Sequence, residues 1–190
     1  ESFRQGRVPG EAPVTLGRWP ARLHQLAESP FVRDHSAANG SSIAVLAEYD
    51  GKRCLLTGDA FADRLLASFK RLTGFREVLR VDAFKLPHHG SRANLSEELV
   101  RAVRCSRYLI STDGSIFGHP DEEAIARILH HGGETVQLCF NYDVPTTRAW
   151  AEEAALWATQ DDKDLLKKQL PKREYPASEA EGMKVDLLGS

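Results

Sequence analysis

Three short stretches hold the residues best suited to chemistry: TGD, ending in Asp59; PHHGS, with His88 and His89; and GHP, with His119. Asp59 and the histidine pair each follow directly on an apolar run of strand character. His119 follows another such run after an intervening loop. In open α/β sheets ligands collect outside the carboxyl ends of strands. One carboxylate and up to three imidazoles are therefore expected at one sheet edge. A carboxylate with neutral imidazoles is the ligand set of zinc, manganese and iron hydrolase sites. A glycine beside each motif lets the backbone turn sharply next to a ligand. Each motif also has a plainer use. Asp59 suits the cap of the helix that follows it, His88 and His89 suit a solvated turn, and His119 before Pro120 suits a helix start. A further pair, His130 and His131, ends a helical pattern and reads as a complement to the helix dipole. One shared site explains the first three motifs together.

The elements that must position these residues alternate between strand and helix. SSIAVLAEYD, the turn DG and KRCLLTG read as an antiparallel hairpin. DAFADRLLASFKRLTG places Phe61, Leu65, Leu66 and Phe69 at helical spacing and stops at Gly74. VDAFKL is a strand. NLSEELVRAVR is a helix with Leu95, Leu99 and Val103 on one stripe, capped by Asn94 or Ser96. RYLIST is a strand, HPDEEAIARILHHGG a helix and ETVQLCFNY a strand. TTRAWAEEAALWAT is a helix with Trp150 and Trp157 one heptad apart. PARLHQLAES makes a short early helix, and MKVDLL a short closing strand. This alternation predicts an α/β fold with a mixed sheet flanked by helices. Residues 1–33 read as a loop-rich segment, 34–160 as the main unit and 161–190 as a charged extension.

The bulk properties set the setting. The 190 residues suffice for a buried core. Hydrophobic residues at 42% and charged residues at 27% describe a globular, soluble chain. A net charge of -2 advertises no nucleic-acid surface, although steering depends on local distribution as well as total. No apolar run approaches the ~20 residues of a membrane helix. Cys54, Cys105 and Cys139 are odd in number and widely spaced, which argues for reduced buried thiols and a cytoplasmic location.

NGSSIAVLAEYDGKRCLLTGDA, then KLPHHGS, then FGHPDEEAIARIL resemble the C-terminal half of a metallo-β-lactamase-fold hydrolase. The similarity is to the ComEC-like branch, the soluble hydrolase domain of a DNA-uptake protein, and spans residues 34 to 142. It implies half of an αββα sandwich. It also implies two divalent metal ions, zinc or manganese. Asp59 then matches the bridging metal ligand, and His89 a late ligand with His88 as its neighbour facing the substrate phosphate. His35 is the candidate for an earlier ligand, with Asp34 and Asn39 as rivals. His88 or His119 would contact phosphate or protonate the leaving oxygen.

The motif His-x-His-x-Asp-His, which precedes these stretches in that family, is absent. The expected partner is therefore an N-terminal half of the same fold, supplied by another chain or by a segment removed from this one. A degenerate member that keeps the fold without metals is the other implication. Two functions follow. The first is a metal-dependent phosphodiesterase or nuclease part acting on nucleic acid. The second is a non-catalytic module that assembles with a partner chain. In either case half a sandwich exposes an apolar sheet face, so the chain by itself is expected to be inactive and prone to associate.

Overall fold

A computed structural model describes residues 23–74, 78–133, 135–152, 172–178 and 182–188. The chain begins with the short helices α1 (Leu23–Ala27) and α2 (Ala37–Gly40). The hairpin expected from DG follows as strands β1 (Val45–Tyr49) and β2 (Lys52–Leu56), with Asp50 and Gly51 both left-handed at the turn, as such tight hairpins require. Helix α3 (Ala62–Leu72) ends before left-handed Gly74. Next come β3 (Leu79–Arg80), β4 (Ala83–Lys85), α4 (Glu97–Arg101), β5 (Val103–Arg104) and β6 (Arg107–Ile110). The chain then adds α5 (Glu122–His131), β7 (Gln137–Phe140), α6 (Pro145–Glu152) and β8 (Lys172–Glu174).

The main sheet has six strands in the order β1-β2-β4-β6-β7-β8. β1 and β2 pair antiparallel and every other neighbouring pair is parallel. The mixed sheet is therefore as the alternating pattern predicted. A second, two-stranded parallel sheet joins β3 to β5.

Register decides which residues share a face, because side chains alternate with period two. Leu46 and Leu55 pair with each other, and Leu55 continues across the sheet to Phe84, Tyr108 and Leu138. This face also carries Ile110 and Phe140. It is packed by Leu65 and Phe69 of α3, Leu99 and Val100 of α4, and Ile125 and Ile128 of α5. A large apolar side chain buried this way contributes about 1.5–3 kcal/mol. Arg127, 1% exposed, crosses the helix layer and donates to the carbonyls of Arg92, Leu95 and Ser29.

The opposite face is different. Val45, Ala47 and Tyr49 lie on it with Leu56 and Cys54, and Val45, Tyr49 and Leu56 are exposed. Towards β6 and β7 the same face is partly covered by the segment 182–188. There Met183 and Val185 join Lys85, Leu109 and Cys139 around a cavity of about 180 Å³, and Met183 N–H donates to Asn141 Oδ1 at 2.7 Å.

Several sequence expectations shift. The closing strand is β8, inside the charged stretch, and 183–188 forms no strand. The helix expected over 94–104 is shorter, because Ser96 accepts the Leu99 N–H and starts it at Glu97. Trp150 is buried in the core, whereas Trp157 and the opening GRVPGEAP stretch lie outside the described residues. Among the described residues no helix is long and apolar enough to cross a membrane. The three cysteines are free thiols. Burial raises Cys54 and pushes Cys105 up to about 12, so neither is primed as a nucleophile.

Candidate functional site

The three motifs meet at the carboxyl ends of β2, β4 and β6. Asp59 follows β2 through left-handed Gly58. A Cβ at Gly58 would lie 3.1 Å from Ser42 Oγ and 3.3 Å from the Ile43 carbonyl, so the turn passes under its neighbours only as glycine. His88 and His89 follow β4. Pro87 ends the extended run, and then His88 (φ 44, ψ 49), His89 (φ 57, ψ 20) and Gly90 (φ 87) are all left-handed. Two successive non-glycine residues in that region cost of order 1–3 kcal/mol each and persist only where the surroundings impose them. Here the imposition is visible. His88 N–H donates to the Gly58 carbonyl at 2.9 Å, and Ser91 N–H to the His88 carbonyl at 2.9 Å. Asp121 N–H reaches the Gly90 carbonyl at 3.0 Å. This is not a free solvated turn.

The partners of each ring fix its tautomer. Asn94 donates through Nδ2 to the Asp59 carbonyl at 3.1 Å and to Asp34 at 3.2 Å. Its Oδ1 is thus the face presented to His88 Nδ1, 3.1 Å away, and this contact, shorter than the 3.4 Å to the Asn39 amide on the same nitrogen, favours a proton there. His89 Nδ1 faces the Ser111 carbonyl, which can only accept, so it too is protonated. His119 Nδ1 lies 3.2 Å from Asp121 Oδ1 and donates to it. All three rings therefore turn Nε2 away from these anchors, and none of the three Nε2 atoms is hydrogen-bonded among the described residues. The His88 and His119 ring centroids are 5.3 Å apart, and those of His88 and His89 are 6.2 Å apart.

Carboxylates support the rings from behind. Burial works to raise the Asp34 carboxyl, but hydrogen bonds from Asn39, Ser36 and Asn94, with the nearby His88, bring it below the ordinary value. Asp121 is also pulled down despite burial, by His119, by the Arg92 N–H at 2.8 Å and by the charge of Arg92. Both stay ionised at neutral pH. The Asp59 carboxylate accepts no hydrogen bond among the described residues, while its backbone N–H donates to Ser42 Oγ at 2.9 Å. Burial lowers the Lys85 amine, and the charge of Asp59 works against that shift. Arg92, in the SRANLS stretch, is held by Glu123 at 2.6 Å.

The sequence-predicted residues divide into those brought together and those left apart. His88, His89 and His119 share one edge with Asp59. Asp59 does not cap α3, whose cap position is Phe61. His119 does not start α5, whose cap position is Asp121. His35 is exposed and makes no hydrogen bond or ion pair among the described residues. Its neighbour Asp34 enters the cluster instead, because the Ser36 N–H and the Asn39 amide, at 2.7 and 2.6 Å, turn that carboxylate inward. Two supporting residues went unrecognised as such in the sequence. Asp121 sits two residues after His119 in GHPD, a spacing that could have signalled an imidazole–carboxylate pair. Asn94 was visible only as a possible cap.

Metal fit follows from this geometry. Among the described residues no group of three or more His, Cys, Asp or Glu side chains is placed to hold a metal ion. The donors among the described residues thus do not by themselves fit a pair of resident metals. Asp59 and His89 are open donors, and the rest of any coordination shell would have to come from elsewhere.

The comparisons agree with a partial match. No protein-family model matches the chain, and no solved structure does. A stretch of 110 residues, 54% of this chain, is 26% identical to ComE operon protein 3 of Bacillus subtilis (strain 168), and the match spans 13% of that relative's length.

Proposed function

We propose that this chain is the second half of a hydrolase domain that acts on phosphodiester bonds of nucleic acid. One observation carries the reading: His88, His89 and His119 present three Nε2 atoms at the sheet edge that also carries Asp59, with each Nδ1 already engaged. Such an edge suits a phosphate. An imidazole anchored through Nδ1 that has taken up a second proton holds it on Nε2, where it can meet a phosphate oxygen and pass to a departing oxygen. The Asp121 carboxylate holds the tautomer of His119 and favours its protonated form during such a step. The weak similarity to a ComE operon protein is compatible with nucleic acid as the substrate class.

The half that completes the domain packs, on this reading, against the exposed Val45, Tyr49 and Leu56 face. Zinc or manganese would receive Asp59 and His89 from this chain, and the remaining ligands from that half. The test is turnover of a chromogenic phosphodiester and of DNA by the full-length protein carrying this chain. Activity that falls on substitution of His88 or His119 supports the reading, and activity indifferent to both sinks it.

That no three donors are grouped among the described residues favours one alternative, a non-catalytic module that assembles with a partner. Elemental analysis of the full-length protein separates the two. Bound transition metal that is lost in Asp59→Ala and His89→Ala supports the hydrolase, and its absence from a folded protein supports the module.

A further inference from the structure

We infer that the loop between β6 and α5 carries a base-stacking platform, so that the site takes single-stranded nucleic acid. The inference rests on the phosphodiester reading above and names the form of its substrate. Phe117 is 71% exposed and Ile116 80% exposed. A lone apolar residue in water is ordinary. Two in succession at the rim of a polar cluster, on a loop held in place, call for a reason.

The loop is fastened at several points. Gly114 N–H donates to Thr112 Oγ1 at 3.0 Å, and Gly118 N–H to the Gly114 carbonyl at 3.0 Å. Asp113 Oδ1 accepts from both the N–H and the hydroxyl of Ser115. Gly114 packs so closely that a Cβ there would sit 2.8 Å from Thr146 Oγ1 and 3.2 Å from the His119 carbonyl. The aromatic ring is thus delivered to a fixed place. Its centroid lies 6.2 Å from His88, edge to face, and 5.9 Å from His119.

A flat apolar ring beside imidazoles that suit a phosphate matches the two parts of one nucleotide. The base stacks on Phe117 and the adjoining phosphate meets Nε2 of His88 and His119. Stacking of this kind is indifferent to base identity, because every base has a π-face. It needs that face to be free, and in a duplex the bases are stacked on one another. Single strands are therefore the form this edge accepts.

The experiment is fluorescence anisotropy with the full-length protein and three labelled probes: an oligothymidylate, an abasic deoxyribose-phosphate strand of the same length, and a duplex. Wild type is expected to bind oligothymidylate about tenfold or more tightly than the abasic strand, and more tightly than the duplex, as one stacked base would give. Phe117→Ala should remove that advantage and leave abasic binding unchanged, and Phe117→Trp should retain it. Because the ring is exposed, the melting temperature of Phe117→Ala should match wild type. Equal wild-type affinity for the base-bearing and abasic strands overturns the platform and leaves the phosphate reading standing. So does unchanged binding by Phe117→Ala, an equal loss on both single strands, or duplex bound as tightly as single strand. Failure of wild type to bind any probe overturns the phosphate reading and the platform with it.

Discussion

Two clusters of three histidines stand near opposite ends of helix α5, and they are built in opposite ways. At its amino-terminal end His88, His89 and His119 each have an anchored Nδ1 and an open Nε2. At its carboxyl end His24, His130 and His131 pack against one another, with centroids 5.3 Å apart for His24 and His130 and 4.5 Å for His130 and His131. There His130 Nδ1 and His131 Nε2 are buried without a hydrogen-bond partner. Glu97 lies 3.7 Å from His131, and Glu28 lies 3.2 Å from His24. Burial pushes His131 down to about 4, more than Glu97 recovers. His131 is then neutral at neutral pH and does not serve as a cationic complement to the helix dipole. The difference teaches that clustered imidazoles alone do not mark a site. The mark is an engaged nitrogen on one side of the ring and an open one on the other.

The largest expected effect tests that distinction directly. His88→Ala should lower phosphodiester turnover by ~10²-fold or more, as loss of a proton donor or phosphate contact does, while His131→Asn leaves turnover near wild type at pH 7. A steady-state assay of both variants in the full-length protein checks this, and equal losses would erase the contrast. Gly90→Ala comes next. Its backbone is left-handed and a Cβ would lie 2.9 Å from Pro120 Cβ, so a destabilisation of about 1–3 kcal/mol is expected. Urea unfolding measures it, and a fall in turnover should accompany it because the histidine turn must shift.

Asp121→Asn should act more mildly on the same cluster. It keeps an oxygen for the His119 Nδ1 proton but removes the charge, so turnover is expected to fall about tenfold and the pH–rate profile to move. An unchanged profile would mean that Asp121 serves α5 alone.

The smallest effect belongs to the far cluster and appears only as a pH dependence. An unfolded imidazole titrates near ~6.5, whereas His131 in the fold titrates at about 4. Between those values the unfolded chain binds the extra proton. The stability contributed by neutral His131 is therefore complete above ~6.5 and is lost as pH falls towards about 4. The groups acting on it are Glu97 and Arg101 of α4, His130 of α5 and Glu28 just after α1. Thermal melts from pH 7 to 4 should slope less steeply in His131→Asn than in wild type. Identical slopes would show that this imidazole does not titrate as its burial requires.

The sequence by itself determined the elements and the edge. The β1–β2 hairpin, the α3 stripe and the alternation of strand and helix follow from period and turn chemistry, which act over a few residues and are legible without a partner. Asp59, His88 and His89 were legible for the same reason, since each follows directly on an apolar run and strands deliver their last residues to one edge, and His119 follows such a run after a loop. What only the tertiary structure decided depends on residues far apart in the chain. Asp34, rather than its neighbour His35, entered the cluster: Ser36 and Asn39 turn that carboxylate inward, and Asn94, 60 residues later, ties it to the histidine edge. Strand β8 escaped notice because its charged stretch has no amphipathic period of its own and pairs with β7 only once the sheet exists. The tautomers of the three imidazoles, and the contrast between the ends of α5, also belong to the fold. A ring nitrogen is set by the donor or acceptor that tertiary packing places against it, and the sequence names the ring without naming that partner.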